Sequence, residues 1–143
     1  MLARFKLALL QSDFGDYTAS NKELHFIIKK DPSQTNAISL LAYNFLQEKE
    51  YDQTISLINR HIEDDEIDQH YLWYLGLAYF NSDQQKQAEK SFERVDEYFS
   101  EEPSFLKDAF FVFKTTNIER AQNYLKKYLQ IVPEDFEMES YLL

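Results

Sequence analysis

The stretch Leu72-Trp73-Tyr74-Leu75-Gly76-Leu77-Ala78-Tyr79, followed after a polar break by Ala88-Glu89-Lys90-Ser91-Phe92, sets two apolar helical patterns side by side with a short turn between them. Its landmarks recur along the chain. Ala88 falls on a small-residue position that returns as Ser20, Thr54 and Ala121, at intervals of 34, 34 and 33 residues. Gly76 aligns with Ala8, Ala42 and Ala109, while Phe92 aligns with Leu24, Ile58 and Leu125. Tyr79 shares a largely apolar column with Gln11, Phe45 and Val112. A period of this length marks stacked helix pairs: one pair cannot bury its own apolar face, so neighbours cover it and three or more units are needed. Small residues in both helices of a unit are what close crossing requires.

Outward from this stretch, the periodicity predicts eight helices and the start of a ninth. They run from Leu2 to Leu10, Tyr17 to Lys30, Thr35 to Leu46, Tyr51 to Glu63, Gln69 to Phe80, Gln85 to Phe99, Pro103 to Lys114, Ile118 to Ile131 and Glu134 to Leu142. The units are 1–34, 35–68, 69–102 and 103–135, with 136–143 opening a capping or fifth-unit helix. Several boundaries have a mechanism. Gly15 suits the left-handed residue after a helix, and Asp31-Pro32 stops helix continuation. Pro103 suits a first helical turn, with Ser100 and Glu102 upstream as capping and dipole-complementing residues. The expected class is all-α. Only two glycines and three prolines are present, too few for a sandwich or barrel of short strands.

Charge and cysteine content exclude several functions. With 25 acidic against 15 basic residues the net charge is −10, and basic residues cluster no further than pairs such as Lys29-Lys30 and Lys126-Lys127. Phosphate backbones repel such a surface, so nucleic acid is not an expected partner. The run Glu63-Asp64-Asp65-Glu66 reads as a solvated turn between helices. No cysteine is present, which removes disulfides, thiol catalysis and thiolate metal sites. The apolar run after Lys6 is too short for a signal-peptide core or a membrane span, so a cytoplasmic location without membrane association is expected.

The motif Leu72-x2-Leu75-Gly76-x2-Tyr79, then Ala88-x3-Phe92, with Ala121-x3-Leu125 and Pro133 in the last unit, resembles the tetratricopeptide repeat. The likeness covers almost the whole chain. Departures are Leu72 in place of the family's tryptophan, Asp108 in place of a core leucine, Glu66 and Ser100 in place of the closing proline, and His61 in a small apolar column.

The resemblance implies a right-handed α-solenoid of four repeats plus a C-terminal helix, with first helices lining a concave face that receives an extended peptide or a partner's helix. The columns it places there are Phe5, Leu9, Ser12; Ser39, Tyr43, Leu46; Trp73, Leu77, Phe80; and Leu106, Phe110, Phe113. From these, Tyr43, Leu46, Trp73, Phe80, Phe110 and Phe113 are the candidate partner-binding residues, because clustered aromatics supply interface hot spots. The competing use of the stripe is packing between successive units, strongest at Leu9, Leu77 and Leu106. A ninth helix bearing Phe136, Met138, Tyr141 and Leu142 either caps the stack or enters a neighbour's groove, which allows self-association. Repeats of this type that grip acidic chaperone tails use basic and amide residues where this chain has Phe5, Leu9, Leu40, His70 and Tyr74. The expected ligand is therefore an apolar or amphipathic segment.

Catalysis finds little support. His25 reads as a surface residue and His61 as half-buried packing, and the spacing of His61, Asp64, Asp65 and His70 matches no metal-ligand pattern. No glycine-rich phosphate loop or nucleophile motif occurs, so neither cofactor nor metal is expected. The functional expectation is a non-catalytic protein–protein interaction module, an adaptor or assembly scaffold. The alternative is a peptide-sensing or regulatory segment of a larger regulator or enzyme. An apolar last segment, where arrays usually carry a polar cap, favours a longer array or self-association.

Overall fold

The computed structural model describes residues 1–62 and 68–143, and among these the regular structure is entirely helical. The elements are α1 (Leu2–Asp13), α2 (Tyr17–Lys30), α3 (Thr35–Gln47), α4 (Tyr51–His61), α5 (Gln69–Asn81), α6 (Gln85–Glu93), α7 (Pro103–Phe113), α8 (Ile118–Ile131) and α9 (Phe136–Glu139). The acidic run from Glu63 to Glu66, and Asp64 and Asp65 of the weighed metal grouping, lie outside the described residues.

Two predicted helices are shorter than expected. Regular α6 stops at Glu93, and the chain continues through tightened turns in which Val95 N–H donates to Phe92 at 3.1 Å. That tightening turns Val95 and Phe99 into the core. Helix α9 is a single turn, followed by turn-type bonds from Tyr141 to Met138 and from Leu142 to Glu139.

Each α-hairpin forms because its turn is chemically specified. In the turns after α1, α3 and α5, one residue takes a positive φ: Gly15 at 79°, Lys49 at 60° and Asp83 at 62°. The N–H of the next residue, Asp16, Glu50 or Gln84, reaches back to Gln11, Phe45 or Tyr79. These are Schellman closures, which satisfy the carbonyls a helix end leaves bare. They recur at the repeat interval, although only the first uses glycine. Side-chain caps begin several helices: Asp16, Asp68, Glu102, Asn117 and Asp135 accept from backbone N–H groups of α2, α5, α7, α8 and α9 respectively.

Helices pair in sequence order, and α1, α3, α5 and α7 also neighbour one another along one side. Among the described residues the second helices α2, α4, α6 and α8 do not approach each other in this way. One side of the stack is therefore crowded and the other splayed, which curves the α-solenoid with its first helices on the inner face.

The repeated columns form the spine of the core. Ala8, Ala42 and Ala109 are buried with Ser20, Thr54, Ala88 and Ala121, and Leu24, Ile58, Phe92 and Leu125 are fully enclosed. Gly76 has a specific partner. A Cβ at Gly76 would stand 2.5 Å from two ring carbons of Phe92. In the other three units the same two columns hold buried alanine with Leu24, Ile58 or Leu125; where the second column carries the larger phenylalanine, the small position gives up its last carbon.

Between the first two hairpins the core includes a polar cluster beside Leu24, Ile27, Ile38 and Leu41. Asn44, 0% exposed, accepts from Ser12 Oγ at 2.6 Å, and its amide donates to Ser20 Oγ at 2.9 Å and to Asn21 Oδ1 at 2.8 Å. Ser20 Oγ in turn donates to the Ala8 carbonyl at 2.7 Å. Every member of this buried network is satisfied, as burial requires.

Candidate functional site: the inner-face cleft

On the inner face α1, α3 and α5 leave an open cleft of about 460 Å³, lined by Phe5, Asn36, Ser39, Leu40, Tyr43, Asp68, His70 and Tyr74. Stripes at i, i+3/i+4 and i+7 on α3 put Asn36, Ser39, Leu40 and Tyr43 on one surface. The first turn of α5 supplies the opposite wall.

The Tyr43 and Tyr74 rings meet in a tilted contact, with centroids 6.3 Å apart at 56°. Desolvation is the main cause that raises the pKa of both phenols, with nearby Asp13 adding to the effect at Tyr43 and Asp68 at Tyr74. Both hydroxyls are thus neutral donors at ordinary pH. Asp68 is fixed by its cap: its Oδ1 accepts from the His70 N–H at 3.0 Å and lies 3.1 Å from His70 Nδ1. His70 also stacks near Trp73, with centroids 6.2 Å apart, and meets Phe99 edge-on at 5.1 Å.

Of the six candidate partner-binding residues, Tyr43 lies in the cleft wall and is 37% exposed. Leu46 and Phe80 are half-buried further along the inner helices. Trp73 is half-buried and committed to packing: its Nε1 donates to Asp108 Oδ2 at 3.0 Å, and its ring lies 5.0 Å from Phe99 and 5.5 Å from Phe105.

Phe110 and Phe113 require correction. They are core residues, 2% and 1% exposed. Tyr141 folds over Phe110 at 5.4 Å, and Phe113 packs on Tyr124 at 5.7 Å beneath the Arg120 guanidinium. The segment around α9 closes that end of the inner face, with Met138 buried and Phe136 left 74% exposed. Leu106 is fully buried, whereas Leu9 is 42% exposed and Leu77 half-buried, so packing claims the stripe mainly at its C-terminal end.

The candidate list omits Leu40, His70 and Tyr74. They occupy the positions considered above for a basic clamp, so their place on the inner face was readable. Asp68 and Asn36 enter through helix capping and first-turn geometry, which column counting does not weigh. Among the described residues no group of acidic, histidine or cysteine side chains is arranged to hold a metal ion, and no helix is long and apolar enough to cross a membrane.

Comparison with known proteins agrees with this architecture. A family profile described as YpiA-like, C-terminal tetratricopeptide repeats, matches residues 70–135. The TPR repeat-containing protein YpiA of Bacillus subtilis is 31% identical over 130 residues; the match covers 90% of this chain and 31% of that protein. The chain thus spans about a third of the length of the curated relative it matches. Among solved structures, MamA from Desulfovibrio magneticus RS-1 superposes with a TM-score of 0.77 at 16% identity, covering 92% of this chain and 75% of that one. YrrB, described as a TPR protein with an unusual peptide-binding site, superposes at 0.77 and 12% identity, covering 94% and 70%. These structural likenesses concern the fold.

Proposed function

This chain belongs to the tetratricopeptide-repeat family, and from that premise we propose that it is a non-catalytic protein-interaction module, an adaptor or assembly scaffold that receives a partner's segment on its inner face. Its four units take the boundaries 1–34, 35–68, 69–102 and 103–135. The observation that carries this reading is the cleft between α1, α3 and α5, where Phe5, Leu40, Tyr43 and Tyr74 stay partly open to solvent while the equivalent region of α7 is covered. Aromatic side chains on rigid helices present large contact area with little left to order on binding. An amphipathic helix or an extended segment fits such a surface. The binding residues we propose are Tyr43 at the centre, with Leu46 and Phe80 extending the surface and Trp73 acting mainly as its support.

Affinity capture from the source lysate, with a Tyr43→Ala, Tyr74→Ala double variant as control, tests this. Far-UV circular dichroism must first show that the variant is folded. A partner retained by the intact chain and lost from the folded variant supports the inner-face reading. Equal capture by both moves the binding surface elsewhere.

A further inference from the structure

We propose that the segment received in the cleft carries a lysine or arginine, whose cation lies against the Tyr43 and Tyr74 rings and pairs with the Asp68 carboxylate. This rests on the inner-face reading above and narrows it from an apolar ligand to an apolar one with a central positive charge.

Three observations support it. First, the cleft wall contains Asp68 and no lysine or arginine. His70 holds one oxygen of that carboxylate, through its N–H at 3.0 Å and Nδ1 at 3.1 Å; a wholly apolar occupant would strip water from the group with only those contacts in return, an acidic one would add repulsion, and a cation offsets the penalty. Second, the Tyr43 and Tyr74 rings meet at 6.3 Å, tilted at 56°, so an ammonium or guanidinium resting on the pair lies over one aromatic face with the other ring beside it. Third, the net charge of −10 draws positively charged segments toward the chain before contact.

The same combination already operates inside the molecule. The Arg4 guanidinium sits 3.7 Å from the centroid of Phe26 and bonds Glu23 at 2.8 Å. The Arg120 guanidinium lies 4.8 Å from the Phe113 ring and bonds Asp96 at 2.6 Å.

The test uses a displayed library of random short peptides selected on the intact 143-residue chain. Selected clones are then counter-screened on folded Tyr43→Ala protein. Among clones that need Tyr43, lysine or arginine flanked by apolar residues should be enriched. A synthetic peptide from that set, and its version with glutamine for the basic residue, are titrated by fluorescence polarisation against wild type and Asp68→Asn. Asparagine retains the capping role at α5, so the fold is preserved. Loss of the cation should weaken binding to wild type about tenfold, and Asp68→Asn should erase most of that difference. Tyr43-dependent clones rich in neutral or acidic residues overturn the proposal while leaving the inner-face reading intact. An unchanged lysine or arginine preference in Asp68→Asn overturns it as well. Absence of any Tyr43-dependent clone overturns both.

Discussion

Gly76→Ala tests whether the repeated small column is set by its facing residue. The added Cβ would lie 2.5 Å from Cδ2 and Cε2 of Phe92 and 3.3 Å from Cβ of Ser91. Comfortable carbon contact begins near ~3.5 Å, so the ring or the helix must retreat by about 1 Å. Phe92 has little room to do so. It is 0% exposed and stacked on Phe105 with centroids 5.1 Å apart. Overpacking of this kind costs ~1–3 kcal/mol, against which alanine's better helix propensity returns up to ~1 kcal/mol. A net loss of about 1–2 kcal/mol is expected, or roughly 2–4 °C in melting temperature per kcal/mol.

The decisive comparison is a double-mutant cycle in urea followed by far-UV circular dichroism. Phe92→Leu alone should cost about 1–2 kcal/mol through the space it empties. Gly76→Ala with Phe92→Leu reproduces the alanine and leucine that the first unit carries in these columns, at Ala8 and Leu24, so the double variant should recover at least ~1 kcal/mol relative to the sum of the single losses. A neutral or stabilising Gly76→Ala, or strict additivity in the cycle, refutes the compensation argument.

Lys49→Gly should stabilise the chain by about 0.5–1 kcal/mol, because the left-handed turn no longer opposes a Cβ. Asp83→Gly should gain less, since aspartate tolerates that region, and Gly15→Ala should lose ~1 kcal/mol without a steric clash; thermal melts rank the three. Asn44→Ala should cost about 2–3 kcal/mol in urea titrations, through lost bonds and the unsatisfied hydroxyl of Ser12. Burial raises the Asp108 carboxyl above its ordinary pKa against the lowering effect of the Trp73 hydrogen bond. Its contribution is therefore most favourable below the unfolded carboxylate pKa and declines as pH rises through the folded one. Asp108→Asn keeps an acceptor for the indole and should raise the melting temperature at pH 7 but not near pH 3, as paired melts would show.

The sequence disclosed the array because packing repeats: Ala8, Ala42, Gly76 and Ala109 are all buried at one position of the period, so one physical demand writes itself four times. The same logic misjudged Phe110 and Phe113, since a periodic column assumes a periodic environment. Tyr141 covers Phe110 from a segment with no counterpart in the earlier units. The left-handed residues Lys49 and Asp83 were hidden for a different reason: capping bonds hold a conformation that their side chains do not advertise. Tyr74 stands next to Trp73, and one step around α5 decides which ring faces the cleft and which packs on Phe105.

The Asn44 network has a consequence for the order of the units. Positions equivalent to Asn44 are Leu10, Ala78 and Phe111, and those equivalent to Ser12 are Leu46, Phe80 and Phe113. Among the described residues, it is the joint between the first two hairpins that satisfies those amide and hydroxyl groups. Transplanting the second hairpin elsewhere in the stack, or inserting a generic repeat ahead of it, would strand a buried carboxamide among hydrocarbon. Despite its periodic outline, the molecule therefore contains one keyed seam, and any attempt to lengthen, shuffle or recombine its units must cut somewhere else.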